Sequence, residues 1–352
     1  MGAALATTAG VSSAAGCAAG WAAARCGGRP VGSDRSTGRP TSYAPSSSAP
    51  SRDARHGDVA GAPSETPAAR LRRLLDRRRT SALVTPCVYD GLTARLVERY
   101  GFELTFMTGF GVSAVHGYPD CQLVSFQEML DSAFSICSSL RSTLCIGDGD
   151  TGYGNAMNVK RTVRGYARCG LACIMIEDQV SPKRCGHTQG KAVVAFDEAV
   201  ARVRAACDAR DEGPNDILIM ARTDARGVMG LEEALSRCRA FAAAGADITF
   251  MEAPLSKEEM VQYCNEVPGH KMANMLPSGQ TPMLSPSELH DIGYAIAAYP
   301  LTLLSAGLRA QLDALDLLRK GQQPFGLELD FETLKDLVGF QDYYQEEALY
   351  KC

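Results

Sequence analysis

Leu144-Cys145-Ile146-Gly147-Asp148-Gly149-Asp150-Thr151-Gly152 is an apolar run that breaks into a pair of acids set among glycines. Four residues are too few for a helix but suit a strand buried on both faces. The same design recurs along the chain. Apolar runs at 82–85, 104–107, 144–147, 172–176, 217–221, 248–251, 272–275 and 294–298 alternate with other segments. Those segments, at 90–100, 126–140, 159–169, 196–209, 231–244, 257–266 and 301–320, have helical spacing. Several stop at glycine before the next strand, at Gly101, Gly170 and Gly245, where glycine supplies the left-handed turn. Eight strands alternating with helices predict an α/β fold closed into a (β/α)8 TIM barrel. An open doubly wound sheet is the alternative, but no GxGxxG follows the first strand. Residues 329–350 predict one or two helices beyond the barrel, of the kind that packs against a neighbouring subunit.

The 352 residues allow one barrel of about 250 residues plus extra segments. A net charge of −4 offers no bulk attraction for nucleic acid. The sequence has no apolar run long enough to span a bilayer. The thirteen cysteines are scattered, often within apolar stretches, and form no CxxC pair. They read as reduced thiols in a reducing compartment rather than as a disulfide scaffold.

Residues 1–65 differ in composition from the rest. They are rich in Ala, Ser, Thr, Gly, Pro and Arg, and the first acid is Asp34. Such a stretch cannot build a core, and its basic, acid-poor character reads as an organelle transit peptide, composition leaving chloroplast and mitochondrion both open. It holds six of the 36 basic and four of the 40 acidic residues, so the remaining body carries −6. The catalytic domain is expected over 66–352, with its last helices from about 328. Thr66-Pro67 reads as a helix start, and Leu71, Leu74 and Leu75 form a short apolar stripe behind it.

In a TIM barrel the chemistry lies at the strand C-termini, and those ends are acidic here. Strand three runs into Asp148 and Asp150, strand four into Glu177-Asp178, strand five into Arg222-Thr223-Asp224 and strand six into Glu252; Asp120 lies in the loop after strand two. Asp148 and Asp150 are two apart, so an extended chain points both the same way. Oxygen-only donors suit Mg2+, or Mn2+, better than zinc. The bland alternative is that each acid caps a following helix. Arg222 can hold a substrate carboxylate with two hydrogen bonds, or can pair with one of these acids. In Ser181-Pro182-Lys183-Arg184-Cys185-Gly186-His187, a thiol has Lys, Arg and His as neighbours. Nearby positive charge lowers a thiol pKa from about 8.5 toward neutrality, where it can exchange protons.

These residues carry a family resemblance. Lys183-Arg184-Cys185-Gly186-His187 resembles the isocitrate lyase signature. Asp148-Gly149-Asp150-Thr151-Gly152 with Glu177-Asp178-Gln179 resembles the magnesium site of the isocitrate lyase and phosphoenolpyruvate mutase superfamily. Ser113-Ala114, Gly117 and Pro119-Asp120 are similar to its second loop, and Ala221-Arg222-Thr223-Asp224-Ala225 to its fifth strand end. The likeness covers about residues 68–350. It extends to the plant branch, which includes the petal death protein and chloroplast proteins named carboxyvinyl-carboxyphosphonate phosphorylmutase.

The resemblance implies a Mg2+-dependent carbon–carbon lyase or hydrolase acting on a small 2-hydroxy- or 2-oxo-polycarboxylate of the oxaloacetate, 2-alkylmalate or methylisocitrate type. Asp150 would hold the metal most directly, with Asp120, Asp148 and Glu177 partly through water. Thr108, Gly109 and Phe110 would bind the substrate carboxylate through a hydroxyl and backbone N–H groups, joined by Arg222, Glu252 and Asn274. Cys185, on a loop with Lys183 and His187, would protonate the carbanionic product. The implied assembly is a homotetramer that exchanges C-terminal helices.

Two departures stand out: Pro277 occupies a position where family lyases usually carry Glu, and His116 one where an apolar residue is usual. A phosphonomutase is the first alternative, although mutases usually carry Asn-Ser in place of Cys185-Gly186. A catalytically retired barrel serving as a binding protein is the second.

Overall fold

The computed structural model describes residues 65–77, 79–186, 190–214 and 216–351. The expected extension 1–65 lies outside them except for Glu65, and so does His187. The chain enters through α1 (Pro67–Asp76), then β1 (Leu83–Val88), α2 (Gly91–Arg99), β2 (Leu104–Met107), α3 (Gly109–Val115) and α4 (Phe126–Ser139). It continues with β3 (Leu144–Asp148), α5 (Ala156–Arg168), β4 (Cys173–Glu177), α6 (Phe196–Asp211), β5 (Leu218–Thr223), α7 (Ala225–Val228) and α8 (Leu231–Ala243). β6 (Ile248–Met251), α9 (Lys257–Glu266), β7 (His270–Asn274), α10 (Pro286–Asp291), β8 (Ile296–Tyr299) and α11 (Thr302–Arg319) complete the barrel, and α12 (Phe331–Val338) and α13 (Phe340–Ala348) follow.

All eight strands pair in parallel, in chain order, and β1 closes on β8 with Leu83 opposite Ile296. The chain therefore folds as the expected (β/α)8 barrel. Pro86 lies within β1, and its carbonyl accepts the Thr105 hydroxyl at 2.7 Å. The expected strand near 82–85 thus runs on to Val88. The short helices α3, α7 and α10 were not expected. Of these, α10 carried a legible signal: Ser285 and Glu288 form a reciprocal capping box around Pro286.

Period-two alternation builds two cores. In β4, Cys173 and Met175 face the barrel interior, while Ile174 and Ile176 pack outward against the helices. β5 repeats this, with Leu218 and Met220 inward and Ile219 and Ala221 outward. Helix α1 closes the N-terminal mouth. Thr66 caps it, its hydroxyl accepting the Ala69 N–H at 3.1 Å, and Leu71, Leu74 and Leu75 join the interior cluster.

Leu71 is fully buried in that plug. Leu71→Ala should destabilise the barrel by roughly 2–5 kcal/mol, the range for a leucine truncated in a core. Denaturant unfolding checks this, and a loss below about 1 kcal/mol would show that α1 is not integral to the core.

Candidate active site

The alternation that fills the barrel also selects what reaches its C-terminal mouth. Thr108 continues the inward series of Leu104 and Phe106, and Asp148 that of Leu144 and Ile146. Glu177 continues Cys173 and Met175, Arg222 continues Leu218 and Met220, and Glu252 continues Ile248 and Phe250. Asn274 follows Met272 in the same way. Six polar side chains from six strands therefore converge above one apolar core.

Five of them border one cavity. Thr108, Asp148, Arg222, Glu252 and Asn274 line it, together with Phe110 of α3 and with Asp120, Lys183, Cys185 and Gly186 from the loops. Asp150 and Glu177 are almost fully buried and do not line it. His116 is exposed at the end of α3, where its Nδ1 lies 2.9 Å from the Val112 carbonyl oxygen. Pro277 is exposed, whereas its neighbour Leu276 lines the cavity. The two departures from the family pattern thus lie outside the cavity wall.

Arg222 is held on several sides. Its Nε donates to Asp224 Oδ2 at 2.9 Å and its Nη2 to Asp224 Oδ1 at 3.1 Å. Glu252 Oε2 stands 3.1 Å from Nη2 and Glu177 Oε2 3.4 Å from Nε. The two sequence readings of Arg222, substrate clamp and ion pair, are therefore compatible: it is a cavity-facing cation fixed by acids. Asn274 Nδ2 donates to Glu252 Oε2 at 3.1 Å. Asp178 belongs to the outward series and has a supporting part. It accepts the Thr223 hydroxyl at 2.6 Å, the Asp224 N–H at 2.9 Å and Arg237 Nη1 of α8 at 3.0 Å.

The acids at the ends of strands three, four and six cap no helix. The N-cap positions there belong to Asn155, Ala195 and Ser256. The structure also corrects how Asp148 and Asp150 meet. Asp150 has φ +48°, so a left-handed turn after the strand brings the two together, rather than extended alternation. Its N–H donates to Asp148 Oδ1 at 3.1 Å. A further correction concerns Gly109, whose N–H, expected to serve a substrate carboxylate, donates to Asp148 Oδ2 at 3.1 Å. Thr108 lines the cavity; its hydroxyl accepts the Gly111 N–H as the cap of α3, which leaves its O–H able to donate. Another correction lies in the loop after β4. Lys183, expected as a neighbour that acidifies Cys185, instead pairs with Asp120 and stands 3.0 Å from Asp150 Oδ1.

Burial pushes Asp150 up to about 6: Asp148 and Asp120 add to the rise and Lys183 opposes it. Burial likewise raises Glu177 well above the carboxylate range despite Arg222. Desolvation works against the Lys183 ammonium, but Asp150, Asp148, Asp120 and Glu177 outweigh it and raise its pKa. Burial would raise Asp224 too, yet Arg222 and Lys191 bring it down to about 2. The mouth therefore holds more buried carboxylates than nearby cations.

A divalent cation fits that excess. Glu177 Oε1 is a buried carboxylate oxygen with no hydrogen bond, and Asp150 Oδ1 has no well-directed one beyond its ion pair with Lys183, so oxygen ligands remain available to such an ion. Among the described residues no three acidic, His or Cys side chains converge closely enough to share one ion. The protein would then supply few direct ligands and water the others, as is usual for Mg2+.

The comparisons decide the family. A family model described as phosphoenolpyruvate phosphomutase matches residues 71–318. The 2,3-dimethylmalate lyase of Eubacterium barkeri is 40% identical over 80% of this chain and 98% of its own. The chain belongs to the phosphoenolpyruvate mutase and isocitrate lyase superfamily. It is an enzyme of that group of carbon–carbon lyases and mutases. Its plant relatives include the chloroplastic carboxyvinyl-carboxyphosphonate phosphorylmutase of Arabidopsis thaliana, 36% identical over 80% of this chain and 84% of that one. Oxaloacetate acetylhydrolase, solved with the inhibitor 3,3-difluorooxalacetate, is 34% identical, covers 80% of this chain and 96% of its own, and superposes with a TM-score of 0.77. A phosphonopyruvate hydrolase of the superfamily, solved with oxalate and Mg2+, is 26% identical over 81% and 99%, with a TM-score of 0.71.

Gly109 offers a test of this architecture. A Cβ there would stand 2.6 Å from Asp148 Oδ2. Gly109→Ala should therefore lower turnover by about tenfold to a hundredfold, the scale of a small misplacement in a catalytic site, at an unchanged melting temperature. Unchanged kcat/KM would show that the Asp148 position is not critical.

Proposed function

We propose that this superfamily member is a Mg2+-dependent carbon–carbon lyase or hydrolase acting on a small 2-hydroxy- or 2-oxo-polycarboxylate. The observation that carries the reading is that Cys185 lines the same cavity as Arg222, Asp148 and Lys183. That combination joins a proton donor to a carboxylate clamp. Arg222, its plane fixed by Asp224 and Glu252, binds a substrate carboxylate without having to be ordered first. Asp150, with Asp120, Asp148 and Glu177 near it, would hold Mg2+. When bound, the metal supplies a further positive charge for the substrate's oxygens. As the carbon–carbon bond of a 2-hydroxy acid breaks, the 2-hydroxyl loses its proton and becomes the product carbonyl (a 2-oxo acid first adds water). Cys185 gives its proton to the carbanionic fragment, and the proton released from the hydroxyl restores the thiol. Leu276, Leu301 and Met272 form an apolar side to the cavity, which suits an alkyl-bearing substrate such as a 2-alkylmalate.

A proton-donating thiol has no evident task in phosphoryl transfer, which favours the lyase over the mutase reading. The buried ion network around Arg222 speaks against a retired barrel. Product analysis tests all three. The chain is incubated with Mg2+ and oxaloacetate, 2,3-dimethylmalate, 2-methylisocitrate, isocitrate or phosphonopyruvate, with Cys185→Ser and EDTA as controls. Cleavage of a hydroxy- or oxo-acid, reduced by about a hundredfold or more in the Ser variant and abolished by EDTA, is the expected result. Turnover of phosphonopyruvate alone, indifferent to the Cys change, would establish the mutase. No turnover and no Mg2+ binding would favour the binding protein.

We also propose a homotetramer joined through the C-terminal helices. Phe331, Leu334, Tyr343 and Tyr344 on α12 and α13 and Leu308, Leu312 and Leu315 on α11 are exposed apolar side chains, as expected of a face that needs a partner. Light scattering should give about four times the mass of the subunit. A monomer at micromolar concentration would rule this out.

A further inference from the structure

Lys191 has been given no part in the chemistry, yet it is buried beside it. Its side chain is only 7% exposed. Its ammonium donates to the Gly186 carbonyl oxygen and to Asp224 Oδ1, the latter at 2.9 Å. Asp224 is the acid that grips Arg222 through both Nε and Nη2. One buried cation thus joins the loop that carries Cys185 to the acid that orients the arginine.

The contact between loop and arginine is close. A Cβ at Gly186 would stand 2.4 Å from Arg222 Nη2 and 2.8 Å from Glu252 Oε2. Residue 186 can approach the arginine in this way only because it is glycine, and a glycine peptide needs an external tie to stay there. Cys185 is bracketed by such ties. Before it, Gln179 Oε1 accepts the Arg184 N–H at 3.0 Å and Gln179 Nε2 donates to the Arg184 carbonyl at 2.9 Å. After it, Lys191 holds the Gly186 carbonyl.

We propose that Lys191 is a positioning residue that fixes Gly186, and with it the Cys185 thiol, at the Arg222 end of the cavity. Its role in turnover rests on the reading of Cys185 as the proton donor. The ammonium acts through geometry: it gives the loop peptide and Asp224 a common anchor, so the thiol and the guanidinium keep a fixed separation.

The test uses the full chain as wild type, Lys191→Met, Lys191→Arg and Cys185→Ser. Alkylation of Cys185 by iodoacetamide is followed by peptide mass spectrometry, beside kcat, KM and melting temperature. In Lys191→Met the thiol should alkylate about tenfold faster or more, and kcat should fall about tenfold to a hundredfold with KM little changed, because Asp224 and Glu252 still hold Arg222. Lys191→Arg, which keeps a cation able to reach both acceptors, should restore most of kcat and slow the alkylation. Wild-type alkylation and kcat in Lys191→Met would overturn the proposal. So would equal losses in the Met and Arg variants, which would mark a merely structural lysine. Should Lys191→Met fail to fold, Lys191→Gln is read by the same criteria. Full turnover in Cys185→Ser would instead defeat the reading of Cys185, and the alkylation rates would still decide whether Lys191 holds the loop.

Discussion

Side chains on a strand alternate between two faces, and in a closed parallel barrel both faces are buried. One face packs the interior, the other the helices, and neither can be exchanged by a register slip without exposing a core. Leu218 and Met220 must point inward because Ile219 and Ala221 are needed against the helices. Once that is settled, Arg222 has no choice of direction. The same parity sends Thr108, Asp148, Glu177, Glu252 and Asn274 to the mouth. The strand-borne part of the site is the polar end of the sequences that build the core, so its precision derives from core packing, while Asp120, Lys183 and Cys185 are added from loops.

Charge is the second constraint. Asp120, Asp148, Asp150, Glu177, Asp224 and Glu252 are all buried at this mouth, and the cations among the described residues there are Lys183, Lys191 and Arg222. Desolvation makes such an excess costly unless protons or another cation offset it. Burial raises the pKa of Asp150 and of Glu177, and the neighbouring acids add to the rise. A divalent ion held near Asp150 would relieve the excess and would add positive charge for a substrate's oxygens.

Behind the mouth, the outward series does supporting work. Asp178, next to Glu177, ties Thr223, the Asp224 peptide and Arg237 of α8 together. One dipeptide at the end of β4 thus divides its two carboxylates between the buried charges of the mouth and the scaffold, as its parity requires. Because Asp224 in turn grips Arg222, α8 contributes indirectly to the orientation of the arginine in the cavity.

The sequence by itself determined the barrel, through eight apolar runs of strand length, and it determined which strand ends carry acids and which carries the arginine. Those are local properties of composition and period. Three features were not local. Asp148 and Asp150 meet through a left-handed turn at Asp150, which no spacing rule reveals for a non-glycine residue. The Gly109 N–H goes to Asp148, because a helix unrecognised in the glycine-rich segment begins there. Lys183 serves Asp120 and Asp150 rather than its neighbour Cys185, since the strongest field around it comes from acids distant in sequence. Sequence proximity sets which groups could interact. Only the closed barrel, by bringing eight strand ends to one mouth of low dielectric, decided which of them do.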